Sequence, residues 1–482
     1  MNRAAALFEK LSDADVDWIL NTALEEQVMK GDAVIRAGQP VTALYVVLKG
    51  ILAVFSPAMA SERLAVIGPG GVVGDMSLLE DRTPTENVVA QETSTVLSLP
   101  FTELQAKFQK DPHFAARLYR GMAKSLSQKL RRTNSRLSVQ AQGDAPAGGE
   151  ESPAHRRVAA AVVELEGLIH AANDAALRNH EVVPEEMQAA LTGRFNDFYP
   201  LLEEAAGDAG SEPEEVREKI GLHVQKQLLP YILLTRSAER LYGKPRGYPG
   251  DFMTLEMFYQ DVPRGTSRIG PALDRCFLRS PFGAALRARR TSMAERIAAL
   301  ASESTSAEPL RVTALAAGPA QELFDAFAAV GDPQRIHATL VDFDPQALAF
   351  ASERREKAGL RDRVDMVGIN PVYLALGRAT LDVEPQDVIY ALGLADYFDD
   401  GMFVKLLDLV HGLLKPGGRV VLGSFHTGNP SKAFMDHVLE WRLAHRGEED
   451  ANRLFGASRF EAPASAIRYA GDGMVMFAEC EK

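Results

Sequence analysis

A chain of 482 residues is too long for one hydrophobic core and implies roughly two to four domains. Its apolar share of 46% and charged share of 24% are those of a globular protein. The net charge of −12 argues against a general affinity for the phosphate backbone, which needs clustered Lys and Arg in surplus; it leaves room for a local basic patch, but no nucleic-acid partner is expected. Two distant cysteines, Cys276 and Cys480, exclude a CxxC metal site and argue against a disulfide framework, and no metal is expected. The opening MNRAAALFEKLSDADVDWIL is interrupted by acids before signal-peptide length, and no window approaches the ~18 apolar residues of a membrane span. The expectation is a cytoplasmic protein without integral membrane contact.

Residues 7–20 read as an amphipathic helix that Ser12, Asp13 and Asp15 start as a cap. From Asp32 onward AVIRAGQP, ALYVVLKGILAVF, RLAVIGPGGVVG and NVVAQETSTVLSLP are short β-branched runs punctuated by Gly and Pro, the pattern of an antiparallel barrel or jelly roll. A helical pattern runs from Phe101 to about Gln140, with Leu118, Met122, Leu126 and Leu130 on one face, a stripe that packs on the barrel or on a second subunit in a homodimer. The stretch GDAVIRAGQPVTALYVVLKGILAVF with IGPGGVVGDMSLLEDRTPTENVVA resembles cyclic-nucleotide-binding domains of the catabolite-activator and kinase-regulatory-subunit type. The resemblance implies a pocket at Gly74, Asp75, Met76, Ser77 and Thr85, with a helix start for the cyclic phosphate and an acid for the ribose. The family's phosphate-binding arginine is replaced by Pro84, followed by Thr85 and a repelling Glu86, while Arg82 falls two residues early. Losing that charge-assisted contact weighs against tight binding of cyclic AMP or GMP and leaves a sensor for another regulatory ligand, or a dimerisation scaffold.

The acidic, Gly- and Pro-rich stretch around 141–154 reads as a linker between domain 1–140 and a helical region over 155–300. Residues 155–240 hold three or four helices without recognisable chemistry. From Arg311 the chain alternates strand and helix through RVTALAA, HATLVDFD, RVDMVGI, QDVIYALGL and GRVVLGSF, which predicts a parallel, doubly wound α/β sheet over 301–482. The closing AIRYAGDGMVMFAECE carries Gly-Asp-Gly between apolar runs, a hairpin that adds an antiparallel last strand.

In such sheets ligands bind at the carboxyl ends of the strands. The first strand ends in Ala317-Gly318-Pro319-Ala320, small enough for close approach of a ligand, and the second ends at Asp342, near the spacing at which an acid meets a ribose diol. The competing role for Asp342 is a cap on the helix that begins at Pro345. A dehydrogenase would carry the richer GxGxxG turn, which is absent. LLKPGGRVVLGSF, with a helix stopping at Pro416-Gly417-Gly418 before a buried strand, resembles the matching segment of class I S-adenosylmethionine (SAM) methyltransferases, a Rossmann-like fold. That resemblance implies SAM as cofactor, with Ala317 and Gly318 beside its methionine part, Asp342 on the ribose, Phe343 beside the adenine, Asn370 near the adenine amine, and Leu392 and Gly393 as floor. Ala314, Ala316 and Ala320 stand where many members have an acid and glycines, and Glu322 is the candidate replacement for the acid.

KPRGYPGDF (244–252), ALRARR around Arg289, IYALGLADYF and GNPSKAFMDHVLEWRL together resemble a bacterial methyltransferase family associated with an extracellular factor, 3-hydroxypalmitic acid methyl ester. The resemblance implies a small or fatty-acyl acid as acceptor. A carboxylate is ionised near neutral pH and needs no base; it needs cations and donors. Arg246, Arg289 and Tyr397 are the candidates for substrate binding and Tyr248, Asp251, His426 and Arg442 for catalysis; for an amine or phenol, Asp251, His426 or Asp396 would take the proton. The competing reading is a noncatalytic sensor that binds SAM or a cyclic nucleotide, motivated by the alanines around Gly318.

Overall fold

The computed structural model describes residues 11–55, 63–68, 71–80, 83–122, 152–210 and 212–482. By contact the chain divides into two units, Met1–Gly148 with Gly243–Pro249, and Gly149–Tyr242 with Gly250–Lys482. Among the described residues no helix is long and apolar enough to cross a membrane.

The first unit opens with α1 (Asp13–Thr22), and its start is the expected cap: Ser12 Oγ accepts from the Asp15 N–H at 3.3 Å and Asp15 Oδ2 accepts from the Ser12 N–H at 2.8 Å. Eight strands follow: β1 (Leu24–Val28), β2 (Ala33–Ile35), β3 (Ala43–Lys49), β4 (Leu52–Phe55), β5 (Arg63–Ile67), β6 (Val72–Val73), β7 (Asn87–Ala90) and β8 (Ser94–Pro100). They form two antiparallel sheets, ordered β1-β8-β3-β6 and β2-β7-β4-β5. Alternate side chains such as Val47, Leu52, Val88 and Val96 face inward, which is the jelly-roll arrangement the β-branched runs predict. Strand β1 was not foreseen, because LEEQV lies on an edge with its residues exposed and shows no alternation.

Short α2 (Asp75–Glu80) separates β6 from β7, and α3 (Phe101–Lys110) follows β8. The helical pattern expected to be continuous from Phe101 breaks at Asp111. Pro112 cannot donate to the preceding turn, and Asp111 Oδ1 accepts from the Phe114 N–H at 2.9 Å, restarting a helix over 112–122. Leu118 and Met122 are buried there with Ile19 and Leu104. Arg117 clamps Asp15 through Nε at 2.6 Å and Nη2 at 2.8 Å, holding that carboxyl down at about 2. Leu126, Leu130 and the linker up to residue 151 lie outside the described residues, as does Arg82.

In the second unit α4 (Pro153–Arg178), α5 (Glu185–Ala206), α6 (Glu214–Ile232) and α7 (Ser237–Gly243) are the four helices of the middle region, followed by α8 (Phe252–Gln260), α9 (Gly270–Leu278) and α10 (Pro281–Glu303). Then come β9 (Leu310–Leu315), α11 (Gln321–Val330), β10 (Ile336–Asp342), α12 (Pro345–Lys357), β11 (Val364–Gly368), α13 (Pro371–Ala375), β12 (Gln386–Leu392), α14 (Asp400–Leu413), β13 (Leu414–Phe425), α15 (Glu448–Gly456), β14 (Ala466–Ala470) and β15 (Val475–Glu481). The sheet order is β11-β10-β9-β12-β13-β15-β14, parallel throughout except β15, which runs antiparallel to both its neighbours. The Gly-Asp-Gly turn makes the expected hairpin, with Ala470 opposite Val475.

Two expectations shift. The helix before Pro416-Gly417-Gly418 stops earlier, at Leu413, and the three residues bulge within β13, so that the pairing steps from Gln386↔Leu414 to Val388↔Arg419. The middle helices are also not a separate domain. Val162, Phe195, Leu228 and Phe282 share one apolar cluster with Val312, Tyr390 and Phe477 of the sheet.

Candidate functional site

The order of the parallel strands reverses between β9 and β12, so the crevice outside their carboxyl ends is the switch point at which open α/β sheets hold ligands. After β9 the chain turns through Ala316, Gly318 and Ala320, with φ of 54°, 54° and 49°. Alternating left-handed residues fold the turn back on itself, a conformation glycine takes without strain and alanine only at a cost. The alanines therefore preserve the turn that glycines would make. Ala317 is buried beneath it.

Asp342, at the end of β10, joins this turn directly. Its Oδ2 accepts from the Gly318 N–H at 2.8 Å and its Oδ1 from the Asp344 N–H at 2.8 Å. Burial pushes the carboxyl up to about 6 against those backbone donors. The cap of α12 is Asp344, whose Oδ1 takes the Gln346 N–H, so the capping role open to Asp342 belongs to its neighbour. Each Asp342 oxygen keeps a lone pair beyond its one backbone bond, which suits two adjacent hydroxyls. Half-buried Phe343 lies between the two acids, and Asn370 caps α13 through the Val372 N–H at 3.0 Å.

Helix α8 covers the turn. Leu255 Cδ1 lies 3.8 Å from where a Cβ on Gly318 would stand, and Arg354 ties the two together, with Nη2 donating to Glu256 at 2.7 Å and Nη1 to the Pro319 carbonyl at 3.2 Å. Across the crevice β12 ends in Leu392 and Gly393. The Gly393 φ of 75° demands glycine, and so does Arg289, whose Nη1 lies 2.6 Å from the position of an added Cβ. Beside Arg289 sits Glu322, buried and accepting from Tyr390 Oη at 2.9 Å. Desolvation raises both Glu322 and Tyr390, and lifts Tyr259, which also faces Arg289, to about 12. Beyond Gly393, burial drives Asp396 up to about 7 despite the attraction of Arg289 and Arg446. Tyr397 follows, lifted to about 12 by burial, its Oη accepting from Trp441 Nε1 at 3.2 Å.

Other expected site residues have contacts of their own. Asp251 caps α8 through the Met253 and Thr254 N–H groups and pairs with Arg240 Nη2 at 2.7 Å, all on Oδ1, while Oδ2 accepts from Thr254 Oγ1, so this fully buried carboxylate is committed to holding the start of α8. Residues 243–249 group with the first unit, where Arg246 Nη2 lies 3.4 Å from Glu92 Oε1; Tyr248 is in the same segment and half-buried. His426 accepts from the Gly428 N–H at 3.2 Å and meets the Tyr469 ring edge-on, while Arg442 is exposed. Tyr259, Tyr390 and Trp441 were missed: an aromatic inside an apolar run reads as core until its polar tip is seen to have a partner.

In the first unit Gly74 has a φ of 88° and backs onto the Ala43 carbonyl, buried Asp75 and exposed Met76 open α2, and Ser77 is half-buried. Thr85 Oγ1 donates to Glu86 Oε1 at 2.7 Å, so the two residues bond each other in the stretch where the resemblance places a phosphate.

Residues 25–111 match the family of cyclic nucleotide-binding domains, and residues 221–449 match a family described as "Putative methyltransferase". The chain thus joins a cyclic nucleotide-binding domain to a methyltransferase-family domain. Among individual proteins it is 28% identical over 225 residues to the cyclic AMP receptor protein of Thermus thermophilus, a match covering 45% of this chain and 94% of that one. It is 28% identical over 134 residues to glutaminase 2 of Bradyrhizobium diazoefficiens, 28% of this chain but only 21% of the glutaminase. A solved N-terminal domain of a transcriptional regulator from Streptomyces coelicolor is 28% identical, covering 30% of this chain and 98% of that domain with a TM-score of 0.24. The methyltransferase-family match takes in Gly318, Asp342, Gly393 and Asp396 and stops short of the hairpin.

Proposed function

We propose that the methyltransferase-family domain binds SAM across the ends of β9 and β10 and methylates a carboxylate of a small or fatty-acyl acid, with the cyclic nucleotide-binding domain as its regulatory or dimerisation module. The observation that supports this reading is the hydrogen bond from the Gly318 N–H to Asp342, which joins the tight turn to a buried acid at the switch point. Bound there, SAM would supply an activated methyl on its sulfonium. The chain's part is to hold the acceptor about 3 Å from that carbon and to keep water out. Leu255 and the Glu256–Arg354 pair supply cover over the turn, and the resemblance to the 3-hydroxypalmitic acid methyl ester family supports an acid as acceptor.

Asp342→Asn tests the cofactor assignment. It keeps the side chain's size but offers one acceptor oxygen in place of two, and calorimetric titration should register at least a tenfold loss of SAM affinity, about 1.4 kcal/mol. Unchanged affinity refutes the assignment. For the first domain, a melting shift with cyclic AMP or cyclic GMP separates a nucleotide-responsive module from a scaffold.

A further inference from the structure

The crevice holds two buried, opposite charges with polar atoms that the fold leaves open, although Arg289 also has Glu322 and Tyr259 beside it. Asp396 is 1% and Arg289 3% exposed, yet neither carboxylate oxygen of Asp396 nor Nε of Arg289 has a hydrogen-bond partner. The Phe425 N–H approaches Asp396 without reaching hydrogen-bond geometry. Arg446, the other cation attracting Asp396, spends its donors on the Ala395 and Phe398 carbonyls at 2.9 and 2.5 Å and on Asp400 at 3.4 Å. Tyr397 Oη is taken by Trp441.

Two other buried acids of this unit are well served: Arg296 grips Glu479 through two bonds of 3.0 and 2.7 Å, and Arg240 serves Asp251. A buried ion without partners costs several kcal/mol, and among the described residues Asp396 is the only buried carboxylate with neither oxygen bonded, which beside the open Nε of Arg289 points to a ligand. Both flank the Gly393 turn: Arg289 presses on it from α10, and Asp396 follows it by three residues. A ligand that satisfies both has reversed polarity, an acid toward Arg289 and an ammonium toward Asp396.

We propose that Arg289 and Asp396 form a binding site for a zwitterionic α-amino-acid group at the carboxyl end of β12. That group has two sources, the methionine end of SAM, which rests on the function proposed above, or a free amino acid serving as acceptor, which does not. The test compares full-length wild type with Asp396→Asn and Arg289→Gln by calorimetry. S-adenosylhomocysteine and methylthioadenosine share the adenosyl thioether, but only the first carries the amino-acid end. If that end occupies the site, wild type prefers S-adenosylhomocysteine by at least tenfold and each variant erases the preference while keeping its affinity for methylthioadenosine. If a free amino acid occupies it, pooled common amino acids bind wild type in the presence or absence of S-adenosylhomocysteine, and binding vanishes in the variants. Variants that leave both preferences intact, or that weaken methylthioadenosine and S-adenosylhomocysteine alike, overturn the proposal. Wild type that binds neither adenosyl probe overturns the SAM reading alone, and the amino-acid arm then decides this one.

Discussion

Replacing Asp396 with asparagine should change how stability depends on pH, by an amount that follows from its surroundings. The carboxyl titrates at about 7 in the folded chain against an ordinary 3.8, because burial penalises its charged form more than Arg289 and Arg446 favour it. A raised acid binds its proton more tightly folded than unfolded, so its contribution to stability is fully present below pH 3.8 and is lost as pH rises through 7. Between pH 5 and pH 8 the two values together cost the wild type roughly 2–3 kcal/mol that the uncharged variant does not lose. The chain's two tryptophans are Trp18 and Trp441, and Trp441 bonds Tyr397, the residue beside Asp396. In a Trp18→Phe background its fluorescence reports urea unfolding of this region alone. The stability difference between Asp396→Asn and its parent should grow in the variant's favour by that amount from pH 5 to pH 8. A constant difference would mean that Asp396 is hydrogen-bonded or solvated, and would remove the physical reason for treating it as a ligand group.

Arg296→Ala should destabilise the sheet by about 3–5 kcal/mol in urea titrations, because it strands Glu479, 2% exposed, with only the more distant Arg468 at 3.7 Å. Ala316→Gly should stabilise by about 0.5–1 kcal/mol, since relief of the left-handed alanine outweighs the entropy that glycine gains unfolded; a loss of stability would mean the turn is not strained. Buried Cys276, pushed up to about 11 by desolvation, should react with iodoacetamide at pH 8 roughly a hundredfold more slowly folded than in urea, and equal rates would contradict its burial.

Local chemistry was legible in the sequence wherever its partner was close along the chain. Ser12 and Asp15 announce their cap, and Gly-Asp-Gly announces the hairpin of β14 and β15, because both ends of each interaction lie within a few residues. The three arginines of ALRARR show where this ends. Arg287 donates to the Phe258 and Leu278 carbonyls, Arg289 is buried at Gly393, and Arg290 pairs with Asp325 at 2.6 Å. Nothing in the order of these residues separates one fate from another, since every partner is supplied by a distant element. Asp251 misled for the same reason, since its ion pair with Arg240 is invisible until α7 and α8 meet.

Three buried aspartates of the second unit show what distinguishes a structural carboxylate from a functional one. Asp251 takes two backbone N–H groups and a guanidinium on Oδ1 and a hydroxyl on Oδ2, so the fold itself supplies four donors to it. Asp342 takes one backbone N–H on each oxygen and keeps a lone pair on each, enough both to shape the Gly318 turn and to receive hydroxyls. Asp396 accepts none, and burial raises its carboxyl as it raises that of Asp342. The cost of burying a carboxylate is offset either by the fold or by what the fold binds. Along this series the share left to a ligand rises from α8 to the two sides of the β9–β12 switch point, which is where the sheet order alone would seat one.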